Sequence, residues 1–267
     1  MDYLQAAPAD RKAIQALWKT CFSDDAAETD IYFETYGTGN CYIAKEGKTL
    51  LAMVLYFPTE LILSGGESVS CAYLYCFCTS PDWRGKGIGR ELLHFAEAEL
   101  KKLGFACTAL VPSETGLFGF YERYGYKTAF GCTRTEITAG KTPASAEPVS
   151  ANRYLQLRQM LLWENCLMYD ERELGFCKAL YRFCGGELVQ ITAEDTIGCA
   201  AVRRDGDGLL IFDLLSGTPE LPARAIMARF GAHRATVIGP GTTPYGMIKW
   251  LQAPQTVENA FLGLSFG

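Results

Sequence analysis

The sequence predicts an α/β (α+β) protein: a mixed central sheet flanked by helices, followed by a second, smaller α/β domain. Three observations predict it. First, "CYIAKEG", "TLLAMVLYFPTE", "LILSGGESV" and "SCAYLYCFCTS" follow one another as apolar, aromatic-rich stretches with glycine between them, the pattern of antiparallel strands joined by turns. Second, Ile88, Leu92, Ala96, Leu100 and Leu103 recur every three or four positions, which is the stripe of an amphipathic helix. Third, beyond a small, polar, proline-containing stretch from Ala139 to Asn152 the chain restarts in a similar order of elements.

The elements follow in sequence. Tyr3 to Ala7 reads as a short strand. Pro8 and Asp10 then open a helix that places Ile14, Leu17 and Trp18 on one face. A second helical stretch covers roughly Ala26 to Tyr36. Gly65-Gly66 is the expected hairpin tip among the strands that follow. Gly104 sits where the helix that starts near Ile88 needs its C-cap. "FACTALVPS" reads as a buried strand, "GLFGFYERYGY" as a short helix ending at Gly125, and "KTAFGCTRTEI" as the last strand of the first domain. The expected division is therefore 1–138, a linker at 139–152, and 153–267. In the second part, helical patterns cover about Arg153 to Cys184. Strands "ELVQI", "TIGCAAVRRD" and "GLLIFDLLS", a helix at about Ala223 to Phe230 and a strand "ATVIG" come next. "IGPGTTPYGMIKWL" receives no specific role.

Composition narrows the function. With 267 residues the chain can bury a substantial core, and its apolar and charged fractions are those of a soluble globular protein. A net charge of -5 argues against a general nucleic-acid binder, which needs excess Lys and Arg. No run approaches the ~20 apolar residues of a membrane helix. The N-terminus lacks the basic start and apolar block of a signal peptide, so a cytoplasmic location is expected, with no membrane or nucleic-acid partner. Eleven cysteines are spaced irregularly, with no CxxC, which reads as free buried thiols. Cys76-x-Cys78 is the one pair with any look of a metal or redox site. The two histidines have no metal partner nearby in sequence, and no GxSxG elbow supports a serine nucleophile.

The stretch "CTSPDWRGKGIGRELL" carries the chemistry. Glycines at the start of a helix leave backbone N–H groups without intrahelical partners and let an anion approach them, with the positive end of the helix dipole behind. Arg84, Lys86 and Arg90 add charge at the mouth. The Walker pattern fails because no Ser or Thr follows the lysine. The dinucleotide pattern fails because Arg90 stands where its third glycine is needed. The pattern [QR]-x-x-G-x-[GA] is met in full by Arg84, Gly87 and Gly89.

With that loop and its helix, the buried strand after it, and "FYERYGY", the segment from about Tyr3 to Ile137 resembles the GNAT family of N-acetyltransferases. The resemblance implies a GNAT fold and acetyl-CoA as donor, with no metal. It implies that the pyrophosphate rests on Arg84, Gly85, Lys86, Gly87, Ile88, Gly89 and Arg90, and that the pantetheine arm bonds to the strand at Phe77, Cys78 and Thr79. It places the proton donor for the departing thiolate at Tyr121, a phenol of ordinary pKa about 10, with Tyr124 in reserve and Tyr126 read as core. Many relatives carry a Glu on the strand before the loop. Here that strand has no carboxylate. Tyr73, Tyr75, Glu114 and Glu34 are within conceivable reach, and no base is assigned.

The second half has "SGTPELPARA" where a glycine loop would stand, so it is expected not to bind CoA. It resembles the degenerate copy of tandem acetyltransferases. Two roles are open to it: a wall of the acceptor site, or a structural or dimerising domain that would make the protein a homo-oligomer. The expected reaction is acetyl transfer to a primary amine of a small molecule or peptide by direct attack in a ternary complex. A cationic acceptor would suit the acidic composition. The alternatives are a non-catalytic acyl-CoA-binding sensor or scaffold and, more weakly, a nicotinamide-dependent oxidoreductase.

Overall fold

The computed structural model describes residues 1–24, 26–193 and 196–264. Its elements, in chain order, begin with β1 (Asp2–Gln5), α1 (Arg11–Phe22), α2 (Ala26–Tyr36), β2 (Cys41–Glu46), β3 (Thr49–Ile62) and β4 (Ser68–Thr79). Next come α3 (Ile88–Lys102), β5 (Cys107–Leu110), α4 (Phe118–Glu122), β6 (Lys127–Thr138) and β7 (Ser145–Pro148). The remainder is α5 (Ala151–Leu161), β8 (Cys166–Met168), α6 (Glu171–Phe183), β9 (Glu187–Ala193), β10 (Thr196–Asp205), β11 (Gly208–Leu215), α7 (Glu220–Phe230), β12 (Arg234–Pro240) and β13 (Thr243–Trp250).

Two compact units result, and they interleave in sequence. The first takes in Met1–Glu60, Val69–Lys127 and Met247–Gln255; the second takes in Leu61–Ser68, Thr128–Gly246 and the chain from Thr256 onward.

In the first unit the strand order is β1-β2-β3-β4-β5-β13. β1, β2 and β3 pair antiparallel, whereas β4 and β5 run parallel because α3 crosses between them. Pro58 is tolerated within β3 because pairing with β2 ends at Cys41↔Leu55, so its missing N–H forfeits no bond on that side. α1 buries Ile14, Leu17 and Trp18, the face its sequence spacing announces. α3 buries Ile88, Leu92, Ala96 and Leu100 against Val54, Ala72 and Leu74 of the sheet. A leucine fully withdrawn from water in this way contributes about 1.5–3 kcal/mol. Leu103, read as part of that stripe, is instead 62% exposed, because it is the residue at which the helix stops.

The last strand of the first unit comes from the far end of the chain. Met247 to Trp250 pair antiparallel with β5, from Met247↔Leu110 to Trp250↔Cys107. Met247 is fully buried in the first core, and the Lys249 ammonium donates to the Glu97 carboxylate. Glu97 also accepts from the Tyr126 hydroxyl, which shares a hydrogen bond with Thr108. "KTAFGCTRTEI", read as the closing strand of the first domain, is β6. Beyond Lys127 it belongs to the second unit, where it pairs with β12 from Arg234↔Thr138 to Pro240↔Cys132. The segment read as a linker contains β7, which pairs with β9.

The second unit has strand order β6-β12-β11-β10-β9-β7. Taken from β7, it repeats the first unit strand for strand. All neighbours are antiparallel except β11 and β12, which are parallel with α7 between them. Even the kink recurs: Cys76 in β4 has φ +48°, and Asp213 in β11 has φ +54°. In the second unit that kink is filled from within. Arg158 and Asp213 are both fully buried and paired through Nε–Oδ2 at 2.7 Å. Tyr154 donates to Asp213, and Leu167 O accepts from Arg158. Tyr169 donates to the carbonyls of Leu262 and Leu264, which brings the C-terminal segment to the same place. Expected as the smaller unit, the second draws on somewhat more of the chain than the first, because it also owns the β3–β4 turn and the segment after Thr256.

Candidate active site

The site begins with a strand that leaves its partner. β4 and β5 pair only at Cys71↔Cys107, Ala72↔Thr108 and Tyr73↔Ala109. Beyond Tyr73, β4 runs on to Thr79 and passes through the left-handed backbone at Cys76, a sparsely populated conformation for a non-glycine residue. From Leu74 on, this half-strand is therefore not paired with β5, which leaves its edge open to the approach of an extended ligand.

The loop follows. Ser80 N–H donates to Leu51 O, and Pro81 to Trp83 form one tight turn. Gly87, at φ +81°, is the N-cap of α3, and no side chain caps that helix. The first-turn amides of α3 thus keep their N–H groups for an anion. Gly89 has a different purpose. A Cβ there would stand 2.9 Å from Thr79 Oγ1 and 3.4 Å from Phe77 Cζ, so its absence lets α3 sit directly against β4.

Strand, loop and helix enclose a cavity of about 630 Å³. That lies within the roughly 300–1,000 Å³ of small-molecule sites. Phe77, Cys78 and Thr79 line it from β4. Arg84, Gly85 and Gly87 line it from the loop, Ile88, Gly89 and Arg90 from the first turn of α3, and Tyr121 from α4. Lys86, expected at the mouth, is not in the lining: its Nζ stands 4.2 Å from the Trp83 ring centroid in a cation–π contact. Arg84 donates from Nε to Thr79 O at 3.2 Å. Arg90 is paired with Glu91 at 2.8 Å on the surface.

Tyr121 is packed among Phe77, Phe120 and Tyr126, with ring centroids 5.1–6.4 Å away. Burial pushes its phenol up to about 12. Tyr124 also lines the cavity. Tyr126 does not; its hydroxyl is engaged with Glu97 and Thr108. Of the groups weighed as a base, Glu114 carries the one carboxylate among the described lining residues. Glu34, Tyr73 and Tyr75 are not in the lining.

Sequence reading did not find Cys21. It comes from the last turn of α1 and reaches the cavity beside Cys78 and Arg84. As a thiol it donates weakly to Thr79 O at 3.8 Å. A hydrogen bond from the Cys78 thiol, aided by the Arg84 guanidinium, brings the Cys21 pKa down to about 7, while the same bond and burial push Cys78 far up. No motif signals this, since only the packing of α1 brings the residue to β4. Among the described residues no group of three His, Cys, Asp or Glu side chains is arranged to hold a metal ion, and no helix is long and apolar enough to cross a membrane.

Residues 2–129 match the model of an acetyltransferase (GNAT) domain. No curated protein matches the chain. Among solved structures, the chain is similar to a GCN5-related N-acetyltransferase from Kribbella flavida (TM-score 0.71, 17% identity, 95% of this chain and 71% of that one). It is also similar to a putative acetyltransferase from Pyrococcus horikoshii (0.63, 13%, 98% and 94%). A third is a tandem GNAT protein from the clavulanic acid biosynthesis pathway (0.57, 10%, 95% and 99%). At these identities the likeness is one of fold, and it extends over both units.

Proposed function

We propose that the protein, whose residues 2–129 match the model of an acetyltransferase (GNAT) domain, transfers the acetyl group of acetyl-CoA to a primary amine of a small molecule or peptide, by direct attack in a ternary complex. The observation that carries this reading is the meeting of an uncapped, glycine-lined helix N-terminus with a strand edge that β5 has left, in one cavity. One feature suits a pyrophosphate and the other an amide-bearing arm, and acetyl-CoA has both. When bound, it supplies the activated thioester.

Each residue then has a task. The amides of Ile88, Gly89 and Arg90 and the Arg84 guanidinium hold the phosphates. Arg90 joins them by exchanging Glu91 for the ligand. β4 from Phe77 to Thr79 holds the pantetheine arm. A β4 amide next to the kink at Cys76 is a suitable donor to the oxygen that gains charge. Tyr121 remains protonated across the physiological range and donates to the departing sulfur, whose own basicity rises in the same dry surroundings. Glu114 is suited to orient the cationic amine and to accept its proton. The second unit has a filled kink and no glycine loop before α7, which fits a copy that does not take CoA.

Tyr121→Phe is the test. We expect turnover to fall by about 10²–10⁴-fold, the worth of a positioned acid, with acetyl-CoA affinity changed less than about threefold. Unchanged turnover would remove Tyr121 from the chemistry. The alternative, a sensor that binds acyl-CoA without catalysis, rests on the absence of a carboxylate from β4 and predicts no amine-dependent CoA release from wild type.

A further inference from the structure

Two thiols in the cavity wall have no task in acetyl transfer. Cys21 closes α1 and Cys78 stands near the end of β4. Cys21 Sγ lies 3.8 Å from Thr79 O, the carbonyl of the residue after Cys78, and that same carbonyl accepts from Arg84 Nε at 3.2 Å, so the thiol and the guanidinium share one acceptor next to Cys78. Both line the cavity, so a small reagent that enters it meets them. We propose that Cys21 is a site of oxidation by hydroperoxides, and that Cys78 resolves it to an intramolecular Cys21–Cys78 disulfide in the cavity wall.

The division of labour follows from the surroundings. A reactive thiol must be a thiolate, beside a cation and accessible. Cys21 meets all three conditions: it shares the Thr79 carbonyl with the Arg84 guanidinium, its pKa is brought down to about 7, and it is only partly buried. Most of the other described cysteines contrast with it. Burial pushes up Cys41, Cys76, Cys177 and Cys199. Cys71 and Cys107 stand opposite each other across β4 and β5, but both are fully buried, where no peroxide reaches them.

The chemistry balances in two steps. The Cys21 thiolate attacks one peroxide oxygen. The S–O bond forms as the O–O bond breaks, and the leaving alkoxide or hydroxide takes a proton from water. The sulfur is oxidised by two electrons and the peroxide reduced by two, leaving a sulfenic acid. Cys78 then gives up its proton and attacks Cys21 Sγ. The S–S bond forms, the S–O bond breaks, and hydroxide leaves with the Cys78 proton as water. This goes beyond acetyl transfer and holds whatever ligand the cavity takes.

The test uses the full-length reduced protein with an equimolar dose of hydrogen peroxide, followed by peptide mapping without reductant. We expect one cross-linked pair of peptides joined through Cys21 and Cys78, two hydrogens lighter than the free thiols and separated again by dithiothreitol. Cys21→Ser should lower cysteine oxidation at the same dose by about tenfold. Cys78→Ser, and Cys78→Ala as a second variant of unchanged circular dichroism, should stop at a sulfenic acid on Cys21 that dimedone captures. The proposal is overturned if Cys21 stays reduced while other cysteines oxidise, or if Cys21 pairs with a cysteine other than Cys78.

Discussion

Tyr121 and Tyr126 stand five residues apart and differ in what their hydroxyls meet. Tyr126 is held by Glu97 and Thr108, so it is part of the scaffold. Tyr121 is packed by rings and opens on the cavity, and burial alone raises its pKa to about 12. A phenol so raised does not ionise in the working range. Its titration should therefore contribute no loss of turnover below about pH 11. The check compares the pH–rate profiles of wild type and Tyr121→Phe. An alkaline limb near pH 9–10 that the variant lacks would contradict the assignment. At this scale the sequence was legible where a motif fixed the neighbours, as in "FYERYGY", and illegible where packing did. Cys21 reaches the site only because α1 lies against β4. Lys86 has the right charge and position in the loop, but the face of Trp83 offers its ammonium a nearer partner than the cavity does.

Elements were most legible where their ends carry chemistry. Gly104 ends α3 as its position implied, and Ala26–Tyr36 is α2 as its pattern implied. The parting of β4 from β5, on which the site depends, left no such mark. Pairing ends at Tyr73, and three residues on Cys76 adopts a left-handed backbone that no local rule assigns to cysteine. In the second unit the long helical pattern from Arg153 proved to be α5 and α6 with β8 between them, and Asp170 starts the second helix. Asp170 accepts from the amides of Arg172 and Glu173, while Glu173 returns a bond to the Asp170 N–H. Burial raises the Asp170 pKa, but the hydrogen bonds from Glu173 and Arg172 outweigh it, and the net shift is downward. The cap therefore stabilises fully above the unfolded carboxyl's pKa of about 3.9 and is lost as pH falls through the lower folded value. Asp170→Ala should cost about 1 kcal/mol at pH 7 by urea unfolding. The difference from wild type should shrink toward pH 3. A cost that is independent of pH would contradict the capping account.

The two halves of the molecule share one strand order, and each closes its sheet with a strand that sequence order would give to the other. The echo of order was legible because each half repeats two helices, antiparallel strands, a helix and a strand. The exchange of β6 and β13 was not. Both strands are apolar enough to pair with a central strand, and consecutive elements are usually neighbours. What selects Met247 to Trp250 for β5 is a tertiary pairing, the Lys249 ammonium on a nearly buried Glu97. Lys249→Met leaves that carboxylate without its cation and should destabilise the protein by about 3 kcal/mol, measured by urea unfolding. A fragment of residues 1–138 lacks the strand altogether and should not fold to the full-length spectrum. A fragment that did would show β13 to be dispensable. The acyl-CoA assignment is tested most directly by calorimetric titration of acetyl-CoA into the reduced full-length protein and its Gly87→Glu variant, with NADH as control. The predicted result is binding on the order of micromolar in wild type, at least about tenfold weaker in the variant, where a carboxylate enters the anion-holding loop, and no binding of NADH. Absence of acetyl-CoA binding in wild type, or equal affinity in the variant, would contradict it.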